Sequence, residues 1–220
     1  MSGDELLFTG DEATKRRVSL ALGVLVGMLV LVTWLTLTGR LAGLDRAVMT
    51  WVYAWRSPTL TPLMNLVSLL GEQVIIAASF LLCLYLAVRA RWDTLQTFLL
   101  LVAGQEVVNY TLKFLIARHR PTILTLVHET SYSFPSGHAM GSTVFYGVLA
   151  LWFWRAGYGG RYRWLWFALA ALITLAVGVS RIYLGAHYFS DVLAGYLAGL
   201  AWILLILTLR QTQKRERLAE

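Results

Sequence analysis

Residues 18–39 read VSLALGVLVGMLVLVTWLTLTG, twenty-two positions without a charged side chain. About 20 helical residues cross the roughly 30 Å hydrocarbon core of a bilayer. The run exceeds the 7–15-residue core of a secretory signal, so it reads as an uncleaved first membrane helix. Ahead of it lies a polar segment, 1–17, with Asp4, Glu5, Asp11 and Glu12 followed by Lys15, Arg16 and Arg17. Beyond it the same reading recurs. One apolar run starts within 62–72, extends back through Glu72 and ends at Arg89. Others cover 94–116, 138–154, 164–180 and about 188–209. The chain is 58% hydrophobic and 14% charged, well below the about 25% charged of a soluble domain. The fold expected is all-α: one polytopic membrane domain with six transmembrane helices over 18–209, flanked by cytoplasmic tails at 1–17 and 210–220.

Between the first two runs, Leu44, Val48, Trp51, Val52 and Trp55 recur at helical spacing. This predicts a short helix lying in the membrane interface, with a plain loop at 40–58 as the alternative. Trp51, Trp55, Trp152, Trp154, Trp164 and Trp166 read as an interfacial belt. Cys83 is the single cysteine, which rules out a disulfide within the chain.

The net charge of +7 is distributed as a topology signal. Lys15, Arg16, Arg17, Arg89, Arg91, Arg155, Arg161, Arg163, Arg210, Lys214, Arg215 and Arg217 fall on the N-terminal side, twelve of the nineteen basic residues. The positive-inside rule then puts both termini in the cytoplasm. Basic residues at helix ends also speak against a nucleic-acid binder. The partners expected are the lipid bilayer and a membrane lipid substrate.

Three clusters carry the chemistry. Lys113, Arg120 and Pro121 close the third helix, Pro135-Ser136-Gly137-His138 opens the fourth, and Ser180-Arg181, His187 and Asp191 run from the fifth into the sixth. Alternate loops of a helical bundle share one side of the membrane, so the clusters gather on one face, the outer one in this orientation. Cations converging at one level imply an anion between them. Arginine forks match phosphate oxygens, and a helix N-terminus adds N–H donors at Ser136-Gly137. Four residues separate His187 from Asp191, which places the carboxylate one turn away on the same face. There it fixes the imidazole tautomer and leaves the other nitrogen as nucleophile. His138 is then available as the acid for a leaving alkoxide.

The spacing Lys-x6-Arg-Pro, Pro-Ser-Gly-His and Ser-Arg-x5-His-x3-Asp resembles the type 2 phosphatidic acid phosphatase superfamily over 113–191. The resemblance implies hydrolysis of a lipid phosphate, such as phosphatidylglycerophosphate, phosphatidate or undecaprenyl pyrophosphate, through a phosphohistidine. It implies that Lys113, Arg120, Ser136, Gly137 and Arg181 contact phosphate, with His187 as nucleophile, His138 as acid and Asp191 as orienting group. No metal and no cofactor is expected, since vanadium binding resembles only the soluble haloperoxidase branch. The alternatives are a phosphotransferase using the same intermediate and a non-catalytic anionic-lipid binding or transport protein.

Other residues read more plainly. Arg118 is taken as a surface or headgroup contact, and His119 and His128 as loop residues. Asp191 has a second reading as a structural partner of Arg181. Glu106 and Asn109 share the Lys113 side of the third helix; a Glu at membrane depth is a functional candidate, and Glu106 is read first as a structural pair with Lys113 or another helix. Tyr132, Ser133 and Phe134 are candidates for the pocket lining.

Overall fold

The computed structural model describes residues 12–122 and 125–219, with the side chains of 13–213 among them. Residues 1–11 of the expected N-terminal tail, and the side chains of Lys214, Arg215 and Arg217, lie outside the described residues. Among the described residues the secondary structure is helical throughout, in eight α-helices and one 3-10 turn.

Helix α1 (Glu12–Leu37) starts earlier than its uncharged run because Lys15, Arg16 and Arg17 continue the same helix. It is apolar on nearly every side. Only one stripe is used for packing: Leu25, Leu29 and Val32 meet Phe134, Ala194 and Leu197. Helix α2 (Ala42–Tyr53) occupies the connection expected to hold a short helix. Its buried face is Asp45, Met49 and Val52, whereas Trp51 and Trp55 are exposed and meet edge to face at 6.2 Å.

The second apolar run is interrupted. Helix α3 (Leu60–Leu69) and helix α4 (Gln73–Val88) are separated at Leu70-Gly71-Glu72. The sequence predicted a helix running through Glu72; instead Glu72 leaves helical geometry at φ −144°, ψ −72°. The cause is close packing. A Cβ on Gly71 would lie 2.6 Å from Val177 Cγ1, so only glycine lets the backbone in here. The Leu70 carbonyl released by the break accepts from Tyr146 Oη at 2.7 Å, as irregular backbone at membrane depth requires.

Helix α5 (Trp92–Ile116) ends where Ala117 adopts a left-handed conformation, φ 47°. Helix α6 (Gly137–Arg155) is the centre of the bundle and packs against α5 and the two helices that follow it. After the 3-10 turn at Gly160–Tyr162 come helix α7 (Leu165–Tyr183) and helix α8 (Phe189–Ala219). α8 continues past residue 209, so the expected C-terminal tail begins as helix. Among the described residues, five stretches are long and apolar enough to cross a membrane: Ala13–Leu37, Leu60–Val88, Trp92–Ile116, Gly160–Tyr183 and Phe189–Gln213. α6 falls short of that measure because its first two turns carry His138, Ser142 and Thr143. A helix surrounded by others need not be apolar on every face.

α8 approaches α6 through Gly195 and Gly199. A Cβ at Gly195 would lie 2.7 Å from Ser136 O, and one at Gly199 would lie 2.8 Å from Thr143 Cβ. Small residues four apart let two helix backbones approach this closely. The contact draws the start of α8 onto the start of α6, where Ser136 N donates to Asp191 O at 3.0 Å.

Candidate active site

The three motif clusters converge at one end of the bundle. They come from the end of α5, the following segment 117–135, the start of α6, the end of α7 and the turn into α8. A cavity of about 370 Å³ opens there. Lys113, Arg120, Gly137, His138 and His187 line it, together with Glu129. Arg181 and Asp191 stand behind the lining.

Lys113 sits in the last turn of α5, buried, and its ammonium donates to the Tyr132 carbonyl. The chain then doubles back: Ser133 N donates to Arg118 O at 2.8 Å. This brings Arg120 under the segment 131–132, where Nε donates to Ser131 O at 2.7 Å and Nη2 to Ser131 Oγ at 3.0 Å. Arg120 Nη1 donates to Ala186 O at 2.9 Å and stands 3.3 Å from His187 Nε2. The guanidinium is thereby held rigidly beside the imidazole.

Ser136 caps α6, its Oγ accepting from Ala139 N at 3.4 Å. Gly137 follows at the first helical position, where a Cβ would lie 3.2 Å from Asn109 Oδ1. Asn109 Nδ2 in turn donates to Pro135 O at 3.5 Å, so the α5 face ties down the loop before α6. His138 lies one residue further, its Nε2 3.3 Å from Glu72 Oε2.

His187 is buried, with 1% of its surface exposed. Nδ1 faces Asp191 Oδ2 at 3.6 Å and Ser133 Oγ at 3.5 Å. Asp191 Oδ2 also accepts from Tyr188 N at 2.8 Å and from the Ser133 hydroxyl. The network assigns the Nδ1 proton to the Asp191 side and leaves Nε2 with its lone pair beside Arg120. Burial is the main cause that pushes His187 down to about 4. Asp191 opposes this, and Arg120 and Arg181 add to it. At neutral pH the ring is therefore uncharged, the form that can act as a nucleophile.

Arg181 donates from Nη1 to Ser68 Oγ at 2.7 Å and from Nη2 to the Glu129 carboxylate. Its Nε is buried without a hydrogen-bond partner. The other Glu129 oxygen is 3.5 Å from Arg120 Nη2. Burial alone would raise the Glu129 carboxyl, but Arg181 and Arg120 hold it below the ordinary carboxylate range. An anion thus already bridges two of the three cations.

Sequence reasoning missed part of this arrangement. Arg118, read as a surface contact, is instead an inner strut: Nη2 meets Asp45 Oδ2 at 2.7 Å and Nη1 meets Asp191 Oδ1. Asp45 also accepts from Ser190 N at 2.9 Å and Ser190 Oγ at 2.7 Å. Asp191 accordingly pairs with Arg118 and not with Arg181. A lone acid on the buried face of α2, at the spacing Asp45, Met49, Val52, was the signal. Glu129 and Glu72 were missed as well. Glu106 pairs with Gln105 Nε2 at 2.7 Å, not with Lys113. His119 packs edge to face on Tyr132 at 6.4 Å, and His128 is exposed. A larger cavity of about 450 Å³ lies beside α2, lined by Asp45, Arg46 and Arg118, but neither histidine nor lysine reaches it. Among the described residues, no group of three His, Cys, Asp or Glu side chains is placed to hold a metal ion.

The model of the PAP2 superfamily matches residues 94–215. The chain is 34% identical over 189 residues to phosphatidylglycerophosphatase B of Bacillus subtilis, covering 82% of this chain and 90% of that protein. It is 34% identical over 149 residues to an undecaprenyl-diphosphatase of Sulfolobus acidocaldarius, covering 66% of this chain and 68% of that one. The crystal structure of a transmembrane PAP2-type phosphatidylglycerolphosphate phosphatase from Bacillus subtilis superposes with a TM-score of 0.79 at 28% identity, covering 87% of this chain and 96% of that chain. With its motifs inside the matched region and its apolar helices around them, the chain belongs to the PAP2 superfamily, as an all-helical multi-pass membrane protein.

Proposed function

We propose that this membrane protein is a lipid phosphatase in which His187 attacks phosphorus. One observation carries the reading: a neutral, buried imidazole with a carboxylate behind Nδ1 stands 3.3 Å from an arginine in a cavity that also holds Lys113 and His138. In the first step His187 Nε2 forms an N–P bond as the P–O bond to the lipid breaks. His138 protonates the departing oxygen. In the second step His138 takes a proton from water, the hydroxyl attacks phosphorus, and the N–P bond breaks to release phosphate. Asp191 orients the ring and stabilises its positive charge while the phosphohistidine exists. Lys113, Arg120 and Arg181, with the N–H groups at Ser136 and Gly137, balance the charge of the five-coordinate phosphorus. The substrate phosphate takes the place of the Glu129 carboxylate on the two arginines.

In this reading the chain is a single membrane domain of six spans. α3 and α4 together form the broken second span, and α6 is the fourth, shielded by its neighbours. α2 lies along the interface, both termini are cytoplasmic, and the cavity opens on the outer face. The names of the relatives point to phosphatidylglycerophosphate or undecaprenyl diphosphate as the lipid, with phosphatidate as the third candidate.

The test is phosphate release by the purified protein from these three lipids. His187→Ala is expected to abolish turnover, and EDTA to leave the rate of the unaltered protein unchanged. Full turnover by His187→Ala, or complete loss on chelation, overturns the mechanism. A phosphorylated acceptor formed without free phosphate would identify a transferase.

A further inference from the structure

The break between α3 and α4 is built against His138. A Cβ on Gly71 would lie 2.9 Å from His138 Cδ2 and 3.2 Å from His138 Cβ. Backbone and imidazole are therefore packed together with no space between them. The next residue, Glu72, is turned out of the helix, and its Oε2 stands 3.3 Å from His138 Nε2. Among the described residues it is the carboxylate within ion-pair distance of this ring. The cations that face the ring are Lys113 from α5, Arg120 from the segment after it and Arg181 from α7, with the uncharged His187 before α8 beside them. Glu129 stands on the two arginines, and Glu106 lines the same cavity from α5. Lys113, Arg120 and Arg181 face the ring as cations, and Glu72 is the carboxylate that stands against Nε2.

We propose that Glu72 is the positioning residue of the general acid: it orients the His138 ring and keeps Nε2 protonated until the leaving oxygen takes the proton. The inference rests on the acid role of His138 proposed above. The Nε2 proton, shared with Glu72 in the resting site, passes to the alkoxide as the P–O bond breaks. The proton that moves is the one on Nε2, so no further reactant enters. Glu72 meets the ring from the break itself, which gives the break in the second span a chemical purpose.

The test compares two leaving groups. Lysophosphatidate expels an alkoxide that needs a proton, whereas p-nitrophenyl phosphate expels a phenolate that does not. Glu72→Gln keeps the volume and removes the charge. For lysophosphatidate, kcat/KM, which ends at departure of the leaving group and so leaves out the second step that both substrates share, is expected to fall by about 10- to 100-fold, a fraction of the 10²- to 10⁴-fold typical of general acid catalysis. For p-nitrophenyl phosphate kcat/KM is expected to hold within about twofold. The alkaline limb of kcat/KM for the lipid should move to lower pH by about one unit or more, as loss of an opposite charge at this distance requires. Equal loss of kcat/KM for both substrates, or an unmoved pH profile in a protein that elutes and melts like the unaltered one, overturns the proposal. If Glu72→Gln does not fold, Glu72→Asp carries the same test, since the shorter side chain lengthens the ion pair. His138→Ala separates the two levels. Equal loss of kcat/KM for both substrates there removes the acid assignment itself. Selective loss there without any in Glu72→Gln removes only the role of Glu72.

Discussion

Replacing Arg118 with methionine removes the cation that joins two deeply buried carboxylates. Asp45 and Asp191 are 1% and 0% exposed, and both oxygens facing Arg118 are in contact with it. Removing one partner of a buried ion pair costs about 3–5 kcal/mol, because the remaining charge is left uncompensated. The Arg118 side chain is 18% exposed, which places the expected cost at the lower end, about 3 kcal/mol. In a chain of this length about 1 kcal/mol corresponds to roughly 2–4 °C of Tm, so the melting temperature in detergent should fall by about 6–12 °C. Each Asp45 oxygen keeps a bond from Ser190, whereas Asp191 keeps its bonds at Oδ2 and loses the Arg118 contact at Oδ1, so Asp191 bears most of the loss, and kcat should fall even well below the melting range. Adding Asp45→Asn to Arg118→Met removes one orphaned charge and should recover about 1 kcal/mol, a coupling typical of residues in contact. Arg118→Lys keeps the charge but cannot reach both carboxylates with one planar group, and should lie between the two. Scanning fluorimetry with phosphate release on the same preparations checks the series. An Arg118→Met protein that melts within about 2 °C of the unaltered one refutes the strut.

Glu129→Gln removes a competitor from Arg120 and Arg181. Its side chain is 30% exposed, so the gain is that of a screened pair, and inhibition by inorganic phosphate should tighten by up to about fivefold; weaker inhibition argues against the carboxylate as an occupant of the phosphate position. With His187 pushed down to about 4 by burial, kcat/KM should fall on the acid side as the ring protonates near that pH. The depressed folded value also means that the unfolded chain binds the proton first. Stability should therefore be lost as pH falls from about 6.5 towards 4, which acid titration of Tm reads. Gly195→Ala forces a Cβ to 2.7 Å from Ser136 O; overpacking of this kind costs about 1–3 kcal/mol, and Tm and turnover should drop together.

The motif residues were legible because their chemistry is local: Lys113 with Arg120, Ser136 with His138 and His187 with Asp191 each lie within one helix end or turn. Arg118 was not, because what fixes it lies 73 residues away on α2 and 73 residues away on α8, and no spacing rule spans that distance. Hydropathy showed the second span but not its break, since Leu70, Gly71 and Glu72 are flanked by apolar residues on both sides and only the packing of Val177 and His138 decides it. α6 posed the converse difficulty. Its sequence reads as a span, yet the first turns are polar because they face other helices and the cavity.

The cations of the site stand at the ends of different helices, α5 for Lys113 and α7 for Arg181, with Arg120 on the segment between α5 and α6. Their spacing is therefore a property of how the helices lean against one another. Helices answer a thinner or thicker hydrocarbon layer by changing tilt. Turnover in vesicles of graded acyl-chain length thus becomes a gauge of bilayer thickness, with an optimum where the three charges best match a phosphate.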